Sequence, residues 1–262
     1  MKIAYLQFNV IYKSPLENIK TLLNYINSNK ADLFVTPELC LTGYLFNSKG
    51  ELKELLQGNN NYLKILIEAC AHNYCSLILG HASIENENIY NSVFVINGSG
   101  IIGKYNKMHL SKIEHLLFSE GKEIPLFTID SVKIGINICY DLWVPEISRI
   151  LFHKKAQVIC CPSNFGGPWT FDIARTRAME NKIYYIIANR IGFEKIGNVE
   201  AHFRGESKVI DYSGNIISEM QSEEGICFAD IDESIVDDKE TLMSNNILYE
   251  ADKYQICLKS LI

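Results

Sequence analysis

Strand-like and helix-like patterns of apolar residues alternate along the 262-residue chain. Mostly apolar runs predict strands at 2–9, 76–82, 89–96, 100–105, 132–138, 158–161 and 183–189. Helices are predicted at about 60–72, 145–153 and 171–181. Ser14 and Glu17 form a predicted capping box, and the helix that follows has an apolar stripe made of Leu16, Ile19, Leu22, Leu23 and Ile26. The alternation predicts an α/β fold with hairpins in its sheets, one of them turning at 213–215.

Cys139 stands where a buried strand passes into a helix. The strand is β-branched at alternate positions, and Pro145 suits the first turn of the helix. A side chain at such a turn lies at the carboxyl edge of the sheet, where α/β proteins bind their ligands. The position therefore indicates a nucleophile. The alternative is a core cysteine that packs at the end of a strand, because free cysteine is among the most buried residue types.

Glu38 and Lys107 occupy similar positions at strand ends. Glu38 follows the apolar residues 33–35 and Pro37, and Lys107 begins a loop after the strand at 100–105. Taken singly, Glu38 is equally well explained as a cap and Lys107 as a solvated lysine, because most Glu and Lys residues are exposed.

Together, Glu38, Lys107 and Cys139 resemble the Glu, Lys, Cys triad of the nitrilase superfamily of carbon–nitrogen hydrolases, in the same chain order. The resemblance extends over nearly the whole chain. It includes the opening strand, the Lys-x-His-Leu segment at 107–110, the Cys-Pro-Ser-Asn segment at 161–164, and the segments at 177–181, 188–192 and 203–207.

The resemblance implies that Cys139 attacks an amide or nitrile carbon and forms a thioester. Glu38 would be the general base, and Lys107 and the backbone amide of Tyr140 would stabilise the oxyanion. Glu114 matches a second glutamate that many members carry after the lysine segment, although Glu120 and Glu123 follow closely. One carboxylate would serve both half-reactions, since the same group can give back the proton that it takes.

The residues after the nucleophile favour an amide substrate. Tyr140 and Asp141 resemble the amidase and carbamoylase branches, whereas nitrilases usually have Trp and Glu there. We expect hydrolysis of a linear amide or carbamoyl amide; a nitrile hydrolase, an acyltransferase that uses the same thioester and a catalytically silent binding domain are the alternatives. Residues just beyond the strand ends are candidates for substrate binding, with core packing as their alternative: Tyr44, Trp143, Asn164, Phe165 and Trp169.

The assembly implied by the resemblance is a four-layer αββα sandwich that pairs into a homodimer. The segment at about 240–262, with a strand at 254–258, would pack on the partner subunit, although Asn245 and Asn246 could equally begin a frayed tail. The length of the chain and the lack of a Gly-, Ser- or Pro-rich linker favour a single domain over residues 1–262. Arg177 is interpreted as a structural residue that pairs with Glu180 at helical spacing, and the role of Arg175 is left open.

Composition excludes several classes of protein. A net charge of −6 argues against a nucleic-acid surface, and no apolar run reaches the length of a membrane span. The first ten residues do not resemble a signal peptide, so we expect a cytoplasmic protein. The eight cysteines form no Cys-x-x-Cys pair and the six histidines no His-Glu-x-x-His motif. We therefore expect free thiols, no metal and no cofactor.

Overall fold

Two six-stranded sheets form the centre of the molecule. The computed structural model describes residues 1–58 and 61–232. The first sheet contains β1 (Lys2–Gln7), β2 (Leu33–Val35), β3 (Ser76–Glu85), β4 (Asn88–Asn97), β5 (Gly100–Asn106) and β14 (Gly225–Asp230). The second contains β6 (Phe127–Ile129), β7 (Val132–Ile136), β8 (Val158–Ser163), β9 (Tyr184–Asn189), β12 (Lys208–Ile210) and β13 (Ile216–Glu219). A separate hairpin consists of β10 (Ile191–Ile196) and β11 (Val199–Arg204).

Each large sheet has three parallel strands at its centre and antiparallel strands around them. The order in the first sheet is β14-β1-β2-β3-β4-β5, with β1, β2 and β3 parallel. The order in the second is β13-β12-β9-β8-β7-β6, with β7, β8 and β9 parallel. Parallel strands end at the same edge of their sheet. Residues that follow β2 therefore lie at the carboxyl edge of the first sheet, and residues that follow β7 lie at the carboxyl edge of the second.

The helices of the described residues are α1 (Pro15–Ser28), α2 (Lys49–Gln57), α3 (Tyr62–Asn73), α4 (Pro145–His153) and α5 (Thr170–Asn181). Helices α1, α3, α4 and α5 cover the outer faces of the two sheets, whereas α2 packs in a separate apolar cluster with Leu39 and Ala82. One apolar cluster joins the facing sides of the two sheets, a second joins the first sheet to α1 and α3, and a third joins the second sheet to α4 and α5. The predicted four-layer αββα sandwich is therefore confirmed.

The neighbouring Cys160 and Cys161 of β8 face opposite sides of the second sheet. Cys160 packs in the cluster between the sheets, and Cys161 packs under the helices. Successive side chains of a strand alternate between faces, so two adjacent residues of β8 point apart. Both thiols are free and act as apolar packing groups.

The start of α1 differs from its prediction. The Ser14 side chain does not cap the helix; the Glu17 amide donates instead to the Ser14 carbonyl oxygen, at 3.1 Å. The predicted apolar stripe includes Leu16, but this side chain is 57% exposed. The side-chain cap that does form belongs to α2, which the apolar pattern did not predict, and there the hydroxyl of Ser48 accepts from the Glu51 amide at 3.2 Å.

Most other predictions of strands and helices are confirmed within a few residues. The helix predicted at 60–72 is α3, Tyr62–Asn73, and the hairpin predicted at 213–215 joins β12 to β13. The predicted strand at 254–258 and the dimer-packing segment at 240–262 lie outside the described residues. Within residues 1–58 and 61–232, no helix is long and apolar enough to cross a membrane.

Gly80 allows β3 to approach the segment that carries Glu38. A Cβ atom at this position would lie 2.2 Å from the Pro37 carbonyl oxygen and 2.8 Å from the Glu38 Cα. The Gly80 amide donates to the Thr36 hydroxyl at 2.9 Å, and the Gly80 carbonyl oxygen accepts from the Cys40 amide at 2.8 Å, so β3 is also hydrogen-bonded to this segment. The backbone of β3 therefore fixes the position of Glu38.

We expect Gly80→Ala to destabilise the protein by about 1–3 kcal/mol, because the added methyl group forces backbone atoms apart. Urea unfolding measures the change. The control is Gly50→Ala in α2, where the nearest atom to an added Cβ is 3.7 Å away. Equal unfolding midpoints for Gly80→Ala and the wild type would contradict this account of β3.

Candidate active site

Cys139 begins a short 3₁₀ turn, Cys139–Trp143, at the carboxyl end of β7. Its φ of +47° lies in the left-handed region, which is strained for a residue with a side chain. The turn is held by the buried carboxylate of Asp141, which accepts from the Ile138 amide at 3.1 Å, the Tyr105 hydroxyl at 2.8 Å and the His109 amide at 2.9 Å. These bonds tie the nucleophile turn to the loop that begins at Lys107.

Lys107 lies between two buried carboxylates. Its Nζ atom is 2.8 Å from Oε1 of Glu38, and 2.7 Å and 2.9 Å from the two oxygens of Glu114. The three side chains are at most 2% exposed. A buried lysine requires such partners, because an unpaired charge in the interior is very costly.

Three separate parts of the chain supply this cluster. Glu38 follows β2, Lys107 follows β5, and Glu114 begins the 3₁₀ turn Glu114–Leu116. The structure brings Glu114 to Lys107 and leaves Glu120 and Glu123 exposed. It therefore selects one of the three glutamates that follow the lysine segment.

The two carboxyl groups differ in their pKa. Burial, and then the charge of Glu114, raise the pKa of Glu38 against the opposing effect of Lys107. Burial acts in the same direction on Glu114, but the Lys107 ammonium and hydrogen bonds from Lys107, Ser111 and Asn91 lower its pKa. These directions favour the charged form of Glu114 and make Glu38 the group that is better suited to exchange a proton.

The Cys139 thiol lies beside this cluster and is the partly exposed member of the group. Burial and the charge of Glu38 raise its pKa well above the ordinary thiol value, although Lys107 acts against them. The resting group is therefore a thiol, so attack on a substrate requires a base that takes its proton.

Two backbone amides lie close to the sulfur. The Asn164 N–H donates to Cys139 and lowers its pKa. Tyr140 is the second residue of the 3₁₀ turn, where backbone N–H groups have no partner within the turn. The part of the Tyr140 amide in binding an oxyanion stays a prediction.

The candidate substrate-binding residues are distributed unevenly around the cluster. The Tyr44 hydroxyl forms a 3.1 Å hydrogen bond with Ser111, and burial together with the charge of Glu114 raises its pKa, which puts its phenol close to the cluster. The Asn164 amide is best oriented with its NH₂ group toward the carbonyl oxygens of Ser163 and Glu38, at 3.0 and 3.2 Å. The structure brings these two residues to the candidate site.

The other three candidates lie in different surroundings. Phe165 is buried in the cluster beneath α4 and α5, whereas Trp143 and Trp169 are 41% and 67% exposed. Their part in substrate binding stays a prediction, and for Phe165 the alternative of core packing describes its contacts.

Arg177 holds the far end of the nucleophile turn. Its guanidinium group donates to the carbonyl oxygens of Leu142 and Trp143, at 3.2 and 3.3 Å, and to Glu180 at 3.1 Å. The predicted pair of Arg177 with Glu180 is confirmed. The two bonds to backbone carbonyl oxygens show that Arg177 also ties α5 to the nucleophile turn. Arg175 lies exposed on α5.

The comparisons with known proteins agree with this geometry. The sequence profile of the carbon–nitrogen hydrolases matches residues 2–240. The chain belongs to the carbon–nitrogen hydrolase family. This confirms the resemblance to the nitrilase superfamily and makes the protein a hydrolase of C–N bonds other than peptide bonds.

Two relatives in this family align over most of their length. A nitrilase of Pyrococcus abyssi is 31% identical over 254 residues, which cover 94% of this chain and 95% of that protein. A 2-oxoglutaramate amidase of Bacillus subtilis is 33% identical over 241 residues, 88% of this chain and 90% of that protein. The crystal structure of a carbon–nitrogen hydrolase from Helicobacter pylori G27 superposes with a TM-score of 0.83 at 23% identity, covering 90% of this chain and 91% of that one, and shares the fold.

Sequence reasoning missed the residues that hold the carbon–nitrogen hydrolase site in place. Asn91 contacts both carboxylates, and Tyr105 donates to Asp141. The buried pair of Arg190 and Glu194 holds the loop of Tyr44, because Glu194 accepts from the Tyr44 amide at 2.9 Å. A polar residue inside an apolar strand, such as Asn91, was the one signal available.

We expect the contribution of His109 to stability to depend on pH. A hydrogen bond to the Asp141 carboxylate, at 3.0 Å, raises the pKa of His109 above its ordinary value of about 6.5. A raised pKa in the folded state stabilises the protein below pH of about 6.5, and this contribution is lost as pH rises through the folded pKa.

Urea unfolding of the wild type and His109→Gln at several pH values measures this contribution. The free energy of unfolding of the wild type should exceed that of His109→Gln by more at pH 5.5 than at pH 9. When Asp141 is replaced by Asn in both proteins, the difference in unfolding free energy caused by His109→Gln should no longer depend on pH in this way. A difference that grows toward alkaline pH would contradict the assignment.

Proposed function

We propose that the protein hydrolyses a linear, non-peptide amide to a carboxylic acid and ammonia through a thioester on Cys139. The observation that carries this proposal is the buried Glu38, Lys107 and Glu114 cluster beside the half-buried residue Cys139. It combines a nucleophile, a proton acceptor with a raised pKa and a fixed positive charge.

The first half-reaction forms the thioester. Glu38 takes the proton from Cys139 as the sulfur attacks the amide carbon, and the carbonyl π electrons move to the oxygen. The oxyanion is stabilised by the Tyr140 amide and by the charge of Lys107. When the tetrahedral intermediate collapses, Glu38 returns its proton to the nitrogen and the C–N bond breaks, which releases ammonia.

The second half-reaction restores the enzyme. Glu38, again a carboxylate, takes a proton from a water molecule as the water oxygen attacks the thioester carbon. The C–S bond then breaks, the acid is released, and the proton on Glu38 returns to the sulfur. The water molecule is consumed, and each group of the enzyme ends in its initial protonation state.

An amide is favoured over a nitrile by the residues after the nucleophile. Tyr140 and Asp141 follow Cys139, as in the amidase and carbamoylase branches. The 33% identity to a 2-oxoglutaramate amidase supports the same choice, and the 31% identity to a nitrilase keeps nitriles in the test. We propose short amides that also carry a carboxylate group, as 2-oxoglutaramate does, as the first substrates to try. Transfer of the acyl group to an acceptor other than water is the second candidate reaction.

We expect Cys139→Ala to abolish ammonia release from a panel of 2-oxoglutaramate, ureido acids, simple amides and nitriles. The expected loss is about 1,000-fold or more, because the covalent route is removed. Cys227→Ala is the control, since Cys227 is also a partly buried free thiol but belongs to β14. Intact-mass spectrometry should detect an acyl adduct in the wild type and in Cys227→Ala.

Four other outcomes would change the proposal. Turnover of nitriles alone would assign a nitrile hydrolase. A product that forms only with an added acceptor, such as hydroxylamine, would assign an acyltransferase. Turnover that survives Cys139→Ala would contradict the thioester route, and no adduct or turnover with any compound would favour a binding domain.

We expect Glu114→Gln to shift the low-pH side of the kcat/KM profile to lower pH. The charge of Glu114 contributes to the raised pKa of Glu38, so its removal lowers that pKa and lets the base act in more acidic solution. Exposed Glu120 is the matched control, and Glu120→Gln should leave the profile in place. A shift to higher pH in Glu114→Gln would contradict the proposed division of roles.

The expected homodimer, single domain and cytoplasmic location stay predictions. Sedimentation of the full-length chain measures its oligomeric state.

A further inference from the structure

Asn91 contacts three of the four residues that we assign to catalysis. This fully buried residue of β4 donates from Nδ2 to Oε1 of Glu38 at 2.6 Å and to Oε1 of Glu114 at 2.8 Å. The backbone carbonyl oxygen of Asn91 accepts from the backbone amide of Lys107 at 2.8 Å. Asn91 therefore joins the segments after β2 and β5 and the turn that begins at Glu114.

The hydrogen bonds differ between the two carboxylates. Both oxygens of Glu114 are engaged, Oε1 by Lys107 and Asn91 and Oε2 by Lys107 and the Ser111 amide. Glu38 receives Lys107 and Asn91 on Oε1 alone. The Lys107 and Asn91 donors thus bind only Oε1 of Glu38, which leaves Oε2 as the oxygen that they do not hold.

A side-chain amide suits this position for a chemical reason. Its NH₂ group supplies two hydrogens without a charge, so it can bind two carboxylates at once. A second cation would lower the pKa of Glu38 and weaken it as a base, a third carboxylate would repel both, and a hydroxyl has a single hydrogen. The orientation of Asn91 follows from the same contacts, since the reversed amide would place its oxygen against two carboxylate oxygens.

We propose that Asn91 is the positioning residue of the site: its amide fixes Oε1 of Glu38, so that Oε2 serves as the base, and holds Glu114 against Lys107 as the permanent counter-ion. The proposal rests on the proposed amide hydrolysis, in which Glu38 exchanges the proton. Asn91 acts through the two carboxylates and not on the substrate.

The electrostatics agree with this geometry. The hydrogen bonds from Asn91 act to lower the pKa of each carboxyl group, against the net rise for Glu38 and in line with the net fall for Glu114. The ionisable groups that act electrostatically with Glu38 are Lys107, Glu114, Cys139, Tyr44, Cys161 and Arg190. With these groups unchanged, loss of the Asn91 amide raises the pKa of Glu38, so the low-pH side of kcat/KM should move to higher pH. This direction is opposite to that expected for Glu114→Gln.

The test compares Asn91→Leu and Asn91→Asp with a matched control. Leucine keeps the approximate volume and removes the donors, and aspartate keeps the shape and adds a charge. The control is Asn18→Leu, because Asn18 is also buried and its amide donates twice, but to the carbonyl oxygens of Ile11 and Leu41. Purified variants are assayed for kcat and KM from pH 5 to 9 with the amide that the wild type hydrolyses best.

Both Asn91 variants should lower kcat by about 10- to 100-fold, because a misplaced base loses its alignment, while KM changes much less. The low-pH side of the kcat/KM profile should move to higher pH in both variants, and further in Asn91→Asp than in Asn91→Leu. Asn18→Leu should keep the wild-type profile even if it lowers stability. If Asn91→Leu fails to fold, Asn91→Asp and its profile decide the question.

Crystal structures of the wild type and the Asn91 variants at one pH supply a result that does not depend on turnover. We expect the Glu38 carboxyl to rotate or to leave Lys107 in the variants. Unchanged carboxyl positions together with an unchanged pH profile would overturn the proposal. Failure of the proposed function would give a different result, namely amide turnover that survives Cys139→Ala. In that case the crystal structures alone test whether Asn91 positions the two carboxylates.

Discussion

The burial of one lysine between two carboxylates is the interaction on which the rest of the site depends. Lys107, Glu38 and Glu114 are each almost fully buried, and removal of either partner from such an arrangement leaves a charge that the interior cannot solvate. The carboxylates belong to segments far apart in the chain, so their contact with Lys107 requires β2, β5 and the turn at Glu114 to meet at one edge of the first sheet. The lysine therefore couples the fold to the chemistry.

The nucleophile is held by a second network that meets the first at the Lys107 loop. The left-handed φ of Cys139 is stabilised by the bonds that Asp141 accepts from Ile138, Tyr105 and His109. Tyr105 and His109 lie on either side of Lys107 in the sequence. One short segment thus positions the cation of the first sheet and the thiol of the second, and the packing between the two sheets sets the relation of the two networks.

The sequence was most informative where local pattern and chemistry coincide. Apolar runs locate most strands because a buried strand needs them, and Glu38, Lys107 and Cys139 stand out because each follows such a run. The start of α1 was less predictable: Ser14 and Glu17 have the spacing of a capping box, yet the bond goes to a backbone carbonyl. Asn91 could not be assigned from its neighbours, since its partners are 53 and 23 residues away and are set by the packing of strands.

The different roles of the two glutamates follow from where the fold places hydrogen-bond donors. In isolation the two side chains are chemically identical. Glu114 is surrounded by donors on both oxygens, which favours its charged form, whereas Glu38 receives its bonds on one oxygen and is otherwise buried. The raised pKa of Glu38 and the lowered pKa of Glu114 express this difference. The fold therefore gives two residues of the same type different environments, which is why the residue types in a motif suggest chemistry but a proposal of their roles needs the folded chain.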